Sequence, residues 1–126
     1  MDPKANSLNW FEIPASDIKR AKTFYETIFS MSMYEMEMPG MKMAMFPAEP
    51  KSGKANGGIA QSDMHKPGSD GVFVYLNANP DLSPVLAKIE SAGGKVVMQK
   101  TSLGPNGFMA FFMDTEGNKV GLHSVN

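Results

Sequence analysis

Asp114-Thr115-Glu116-Gly117-Asn118-Lys119-Val120-Gly121-Leu122 reads as a tight turn running into a strand, and it closes the second of two half-length patterns that match along the chain. Glu116-Gly117 is the turn signal between the strand Phe108 to Met113 and the strand Lys119 to Ser124. Alternation in the last strand sends Val120 and Leu122 to one face and Lys119, Gly121 and His123 to the other. Upstream, a helix is predicted with Asp81 or Ser83 as cap, Pro84 in its first turn and Gly93-Gly94 as terminator, with Leu82, Val85, Leu86 and Ile89 inward. A strand from Val72 to Asn77 precedes it, with Val72, Val74 and Leu76 facing that helix.

The first half repeats this design. Phe11 and Ile13 face a helix capped by Ser16 or Asp17, whose apolar stripe is Ile18, Ala21, Phe24, Tyr25, Ile28 and Phe29. Breaks at Pro39-Gly40, Pro47 to Gly53 and Leu103 to Gly107 divide the chain after each helix into three strands. The expected fold is therefore α+β. It has two βαβββ modules forming a curved eight-stranded mixed sheet, a cup, with helices on the outer face. Module one covers about residues 7 to 63, a polar linker about 64 to 70, and module two about 71 to 126.

At 126 residues the chain fits one domain, which by size scaling buries roughly 65 to 70% of its unfolded surface. Twelve basic residues against thirteen acidic ones leave no cationic footprint for nucleic acid. With no cysteine there is no thiol nucleophile, disulfide or thiolate metal site. Met1-Asp2-Pro3-Lys4 lacks an apolar secretory core, and no run reaches membrane-spanning length, so a cytoplasmic protein with no membrane partner is expected.

The residues left opposite the helices carry the functional reading. Trp10 and Glu12 in the first strand, and Phe73, Tyr75 and Asn77 in its counterpart, mix aromatic and polar groups on one sheet face. Such a face predicts a partly covered pocket for a small molecule. Glu12 and His123 fall on that face, and a glutamate lined by Trp10 and Phe73 is expected to have a raised pKa suited to acid–base work. Phe112 is included as a ligand contact, from a strand in which Phe108, Ala110 and Phe112 alternate with Met109 and Phe111. His65, among Lys66 and Ser69, reads as a solvated loop residue, and no Gly-x-Ser-x-Gly elbow is present. Seven methionines between Met31 and Met45 form one hairpin, an adaptable wall of either the cup or the core.

Trp10-Phe11-Glu12-Ile13-Pro14 with Asp17, Arg20-Ala21 and Phe24-Tyr25, followed by Asp114-x-Glu116-Gly117-Asn118 and Gly121-Leu122, resembles the vicinal oxygen chelate superfamily. That group includes glyoxalase I, bleomycin-resistance proteins and extradiol dioxygenases. The resemblance implies the two-module cup and a homodimer. In the metal-dependent members, four cup-facing side chains, usually His, Gln or Glu, hold a metal. Carried over by spacing, those positions fall here on Trp10, on Gly58 or Ala60, on Phe73 and on Gly121, none of which ligates through its side chain. The expectation is thus a small-molecule-binding protein with no metal and no cofactor, taking an apolar or aromatic ligand on Trp10, Phe73, Tyr75, Asn77, Phe112 and Gly121. The alternative is a glyoxalase-related lyase or isomerase, or a dioxygenase-like enzyme, in which Glu12 and His123 are acid and base or ligands of a shifted metal site.

Overall fold

The computed structural model describes residues 1–126. Module one runs β1 (Trp10–Pro14), α1 (Ile18–Phe29), β2 (Tyr34–Met38), β3 (Met41–Met45) and β4 (Asn56–Ser62). Module two runs β5 (Tyr75–Asn77), α2 (Ser83–Leu86), β6 (Lys95–Ser102), β7 (Phe108–Met113) and β8 (Lys119–Ser124), with a 3-10 turn at Gly104–Asn106. The predicted two-module α+β architecture is present. Its eight strands are shared between two four-stranded sheets, β1-β4-β3-β2 and β5-β8-β7-β6, each with one parallel pair.

Local chemistry explains the elements. Asp17 caps α1 by accepting from the Arg20 N–H at 3.1 Å, and Ser30 ends it in a left-handed conformation. The second helix is shorter than its sequence suggests. Beyond Leu86 the N–H groups of Lys88, Ile89 and Gly93 bond to carbonyls three residues back, so the segment continues as tight turns that still bury Ile89.

One core joins the modules. Ile13, Ala44 and Ile59 of the first sheet and Leu76, Ala110, Phe112, Val120 and Leu122 of the second belong to the same buried cluster as Ala21, Phe24, Tyr25 and Ile28 of α1. Phe24 and Tyr25 touch the Phe112 ring at centroid distances of 5.8 and 6.2 Å. The face of each sheet opposite this core is its outward face.

The turn Asp114 to Asn118 locks this arrangement. Glu116 accepts from the Ser16 and Asp17 N–H groups at 2.9 and 2.8 Å and from the Arg20 guanidinium at 2.7 and 3.0 Å, placing a carboxylate at the N-terminus of α1. These bonds hold the Glu116 carboxyl below its ordinary pKa despite burial, which acts the other way. Asp114, 5% exposed, accepts from Tyr25 Oη at 2.8 Å and from the Asn118 amide at 2.9 Å. Burial first, then the Asp114 carboxylate, pushes the Tyr25 hydroxyl well above its usual pKa. Asn118 in turn donates to the Pro14 carbonyl at 2.7 Å and accepts from the Gly68 N–H in the linker at 3.0 Å.

Asp114→Ala leaves the Tyr25 hydroxyl buried without an acceptor and takes one of two acceptors from the Asn118 side-chain amide, a loss of about 3 kcal/mol in urea unfolding. Since folding lowers the Glu116 pKa, its stabilising share is present above the unfolded value near 4.5 and is lost as pH falls through the folded value. Melts of Glu116→Gln between pH 6 and pH 3 are therefore expected to show a shallower acid limb than wild type.

Candidate functional site

Register decides what each outward face carries. In the first sheet Glu12, Gly58, Met45 and Tyr34 lie side by side, Pro14, Ala60, Met43 and Met36 form the next row, and Ser62, Met41 and Met38 the third. Since Ile13, Ile59 and Ala44 occupy the core side, these rows belong to the outward face. The methionine hairpin is thus a wall of this open face, with Met43 at 5% exposure and Met36 and Met38 at 39% and 38%. Trp10 stands at its edge, 42% exposed.

The polar groups of this face are linked. Trp10 Nε1 donates to Glu12 Oε2 at 3.1 Å, Glu12 Oε1 meets His65 Nε2 at 2.8 Å, and His65 Nδ1 meets Ser62 Oγ at 2.6 Å. His65 is therefore no solvated loop residue. Its side chain is 15% exposed because the turn after β4 folds back onto β1. The pKa of Glu12 is also corrected: the hydrogen bond from His65 outweighs desolvation and holds the carboxyl below its ordinary value. Both Glu12 oxygens are engaged, so the group is an ionised acceptor. His123 stands elsewhere, donating from Nε2 to the Asn106 carbonyl at 2.7 Å and pairing in register with Asn77 and Met109.

The outward face of the second sheet is aromatic. Phe73 and Tyr75 pack on Phe111 with centroids 5.2 and 5.4 Å apart, and Lys119 Nζ lies 5.6 Å from the Phe73 ring centre. Gly121 is needed here, because a Cβ at that position would sit 2.6 Å from the Tyr75 ring. Asn77 accepts from the Asn79 N–H at 2.9 Å and is exposed. Phe112 is not a ligand contact. It is fully buried against Phe24 and Tyr25, and the outward aromatic of β7 is its neighbour Phe111. Ala110 and Phe112 share the core side of the pleat, so Phe111 necessarily faces outward.

The sequence model of the Glyoxalase/Bleomycin resistance protein/Dioxygenase superfamily matches residues 7–122. The chain belongs to this superfamily. Among curated proteins it is 29% identical over 119 residues to the putative glyoxylase CFP32 of Mycobacterium bovis, covering 94% of this chain and 45% of that protein, so it spans less than half the mycobacterial relative's length. It is 33% identical over 115 residues to a glyoxylase-like domain-containing protein of Didymella fabae, covering 88% of each. Among solved structures, glyoxalase I from Zea mays superposes with a TM-score of 0.66 at 20% identity, over 91% of this chain and 44% of that one. A glyoxalase-related enzyme from Fulvimarina pelagi gives 0.66 at 12% identity, over 94% and 88%. These likenesses concern the fold.

A metal, implied by some members of this superfamily, does not fit the donors present. Trp10, Gly58, Ala60, Phe73 and Gly121 offer rings, a methyl group and glycines, and no three His, Cys, Asp or Glu side chains come together in the chain. No helix is long and apolar enough to cross a membrane.

Sequence reasoning found Trp10, Glu12, Phe73, Tyr75 and Gly121 on the outward faces but missed Ser62, His65 and Phe111. The usable signal for the first two is the three-residue spacing Ser62-x-x-His65 at the end of a strand. That spacing lets a turn bring hydroxyl and ring together.

Trp10 is the single tryptophan, so its fluorescence reports this cluster. Protonating Glu12 is expected to change the emission with a midpoint below pH 4.5, as the direction of the shift requires, and Glu12→Gln to abolish that transition.

Proposed function

We propose that this superfamily member is a metal-free binding protein for a small apolar or aromatic molecule. The ligand lies on the Trp10 and methionine face of one subunit and is closed over by the Phe73, Tyr75 and Phe111 face of a second copy. The observation that carries this reading is the pair of outward apolar faces within one chain. On the first sheet Trp10, Tyr34, Met36 and Met38 are 42%, 67%, 39% and 38% exposed, and on the second Phe73 and Tyr75 are 49% and 47% exposed. Open faces of this kind on a small domain mark binding surfaces. As each chain supplies two open half-cups, a homodimer sets a half-cup of one copy against a half-cup of the other.

The ligand class follows from the lining. Thioether and aromatic side chains adapt to apolar shapes, and the ring of Trp10 is held in place by Glu12 for stacking. Gly121 contributes by letting the Tyr75 ring lie flat on β8. The fully bonded, ionised state of Glu12 favours this reading over one in which Glu12 abstracts a proton.

Sedimentation is expected to give a dimer at micromolar concentration, and a monomer there would remove the closed cup. A panel of planar aromatic ligands is expected to perturb Trp10 emission saturably, with Trp10→Ala raising Kd about tenfold. Gly121→Ala, by displacing the Tyr75 ring, is expected to weaken the same ligands without altering the urea midpoint much. A panel that leaves Trp10 emission unchanged while the protein is folded and dimeric would overturn the ligand assignment.

A further inference from the structure

The cluster at the end of β4 has more order than an apolar binding face requires. Ser62 Oγ accepts from the Met64 N–H at 3.1 Å and the Ser62 carbonyl accepts from the His65 N–H at 3.2 Å, so the turn 62–65 is closed twice. With the Met64 N–H occupying an acceptor position on Oγ, the Ser62 hydroxyl proton is free to be donated to His65 Nδ1, 2.6 Å away. The other ring nitrogen then carries its proton toward Glu12 Oε1 at 2.8 Å. Hydroxyl, imidazole and carboxylate are thus connected in the order and polarity of a nucleophile, its base and the group that orients the base. A turn that needed only a hydroxyl-to-ring contact would not require a carboxylate on the far nitrogen.

Access fits the same use. Ser62 and His65 line a cavity of about 450 Å³ together with Ala15, Gln61, Lys42 and Lys66. It lies at the strand end, beside the exposed Met64, and its lining is mostly polar. The wall carries two ammonium groups, Lys42 and Lys66, and two carboxylates, Glu37 and Asp63, and the ammonium groups are the donors there for negative charge developing on a carbonyl oxygen. The backbone N–H of Asp63, next to the nucleophile, is the neighbouring main-chain donor.

We propose that Ser62, His65 and Glu12 form a nucleophilic acyl-transfer site for small esters or thioesters at the end of the apolar ligand face. Ser62 Oγ attacks the acyl carbon and its proton passes to His65 Nδ1. The bond from the acyl carbon to the leaving oxygen or sulfur breaks, and the leaving group takes that proton. Water, deprotonated by His65, then attacks the acyl-serine, releasing a carboxylic acid and returning the proton to Ser62. Ser62 and His65 are the catalytic residues, while Glu12 is a positioning residue that fixes the ring and balances its charge.

The test is reaction of the 126-residue chain with a fluorophosphonate probe and with p-nitrophenyl acetate near pH 7.5, followed by peptide mapping. The expected result is one phosphonyl group per chain on Ser62 and a burst of nitrophenolate. Both are expected to fall at least about 100-fold in Ser62→Ala and in His65→Gln. Glu12→Gln is expected to slow acylation and to displace its pH profile, a change that loss of packing alone does not produce. Since the chain has no cysteine, Ser62→Cys supplies a second variant, whose unique thiol is expected to be acylated faster with His65 than without it. Label confined to lysines, or no label on a chain whose Trp10 emission is native, overturns the proposal and leaves the three residues as a latch between linker and β1.

Discussion

Two carboxylates in one turn, Asp114 and Glu116, hold the molecule's modules in register. Between them they accept from the N-terminus of α1, from Arg20, from Tyr25 and from Asn118, so module two supplies the cap and a buried acceptor for the helix of module one. Asn118 extends the same lock to the end of β1 and to the linker. A buried charge of this kind is tolerated only when its oxygens are fully partnered, and no buried side-chain nitrogen or oxygen in the chain is left without a partner.

Much of this was legible in the sequence because it rests on periodicity and turn chemistry. The stripe Ile18, Ala21, Phe24, Tyr25 and Ile28 and the alternation of Val120 and Leu122 with Gly121 read directly as a helix and a strand with one side buried. The failures have physical causes. Phe111 and Phe112 are adjacent and equally apolar, so only the partner strand and the helix packed above them decide which is inside. Pairing between β6 and β7 is moreover irregular between Val96 and Thr101, which blurs any inference from register. Hydrophobicity likewise cannot separate a methionine facing a core from one facing a ligand. The hairpin's orientation emerges only from its pairing with Ala60 and Ile59.

His65 shows a different limit. Its neighbours Lys66, Pro67 and Gly68 are turn formers, and local composition argues for solvent. What places it against Glu12 is the parallel pairing of β1 with β4, which sets Glu12 beside Gly58 and lets the turn after Ser62 fold back over β1. Its position is nonlocal. The same contact reverses the expected direction of the Glu12 pKa, because a specific hydrogen-bond donor outweighs a general environment.

The lock between the modules also bears on how the chain comes into being. Its bonds to module one join residues 89 to 104 positions apart, Tyr25 to Asp114 and Pro14 to Asn118 being the extremes. Such contacts are slow to form, as a long loop must close before any of them is gained. During synthesis α1 emerges first, while the turn that caps it and the Phe112 ring that covers Phe24 and Tyr25 follow only about 90 residues later. The first module therefore passes through a period with its aromatic stripe half covered, and the timing of translation becomes part of the protein's folding problem.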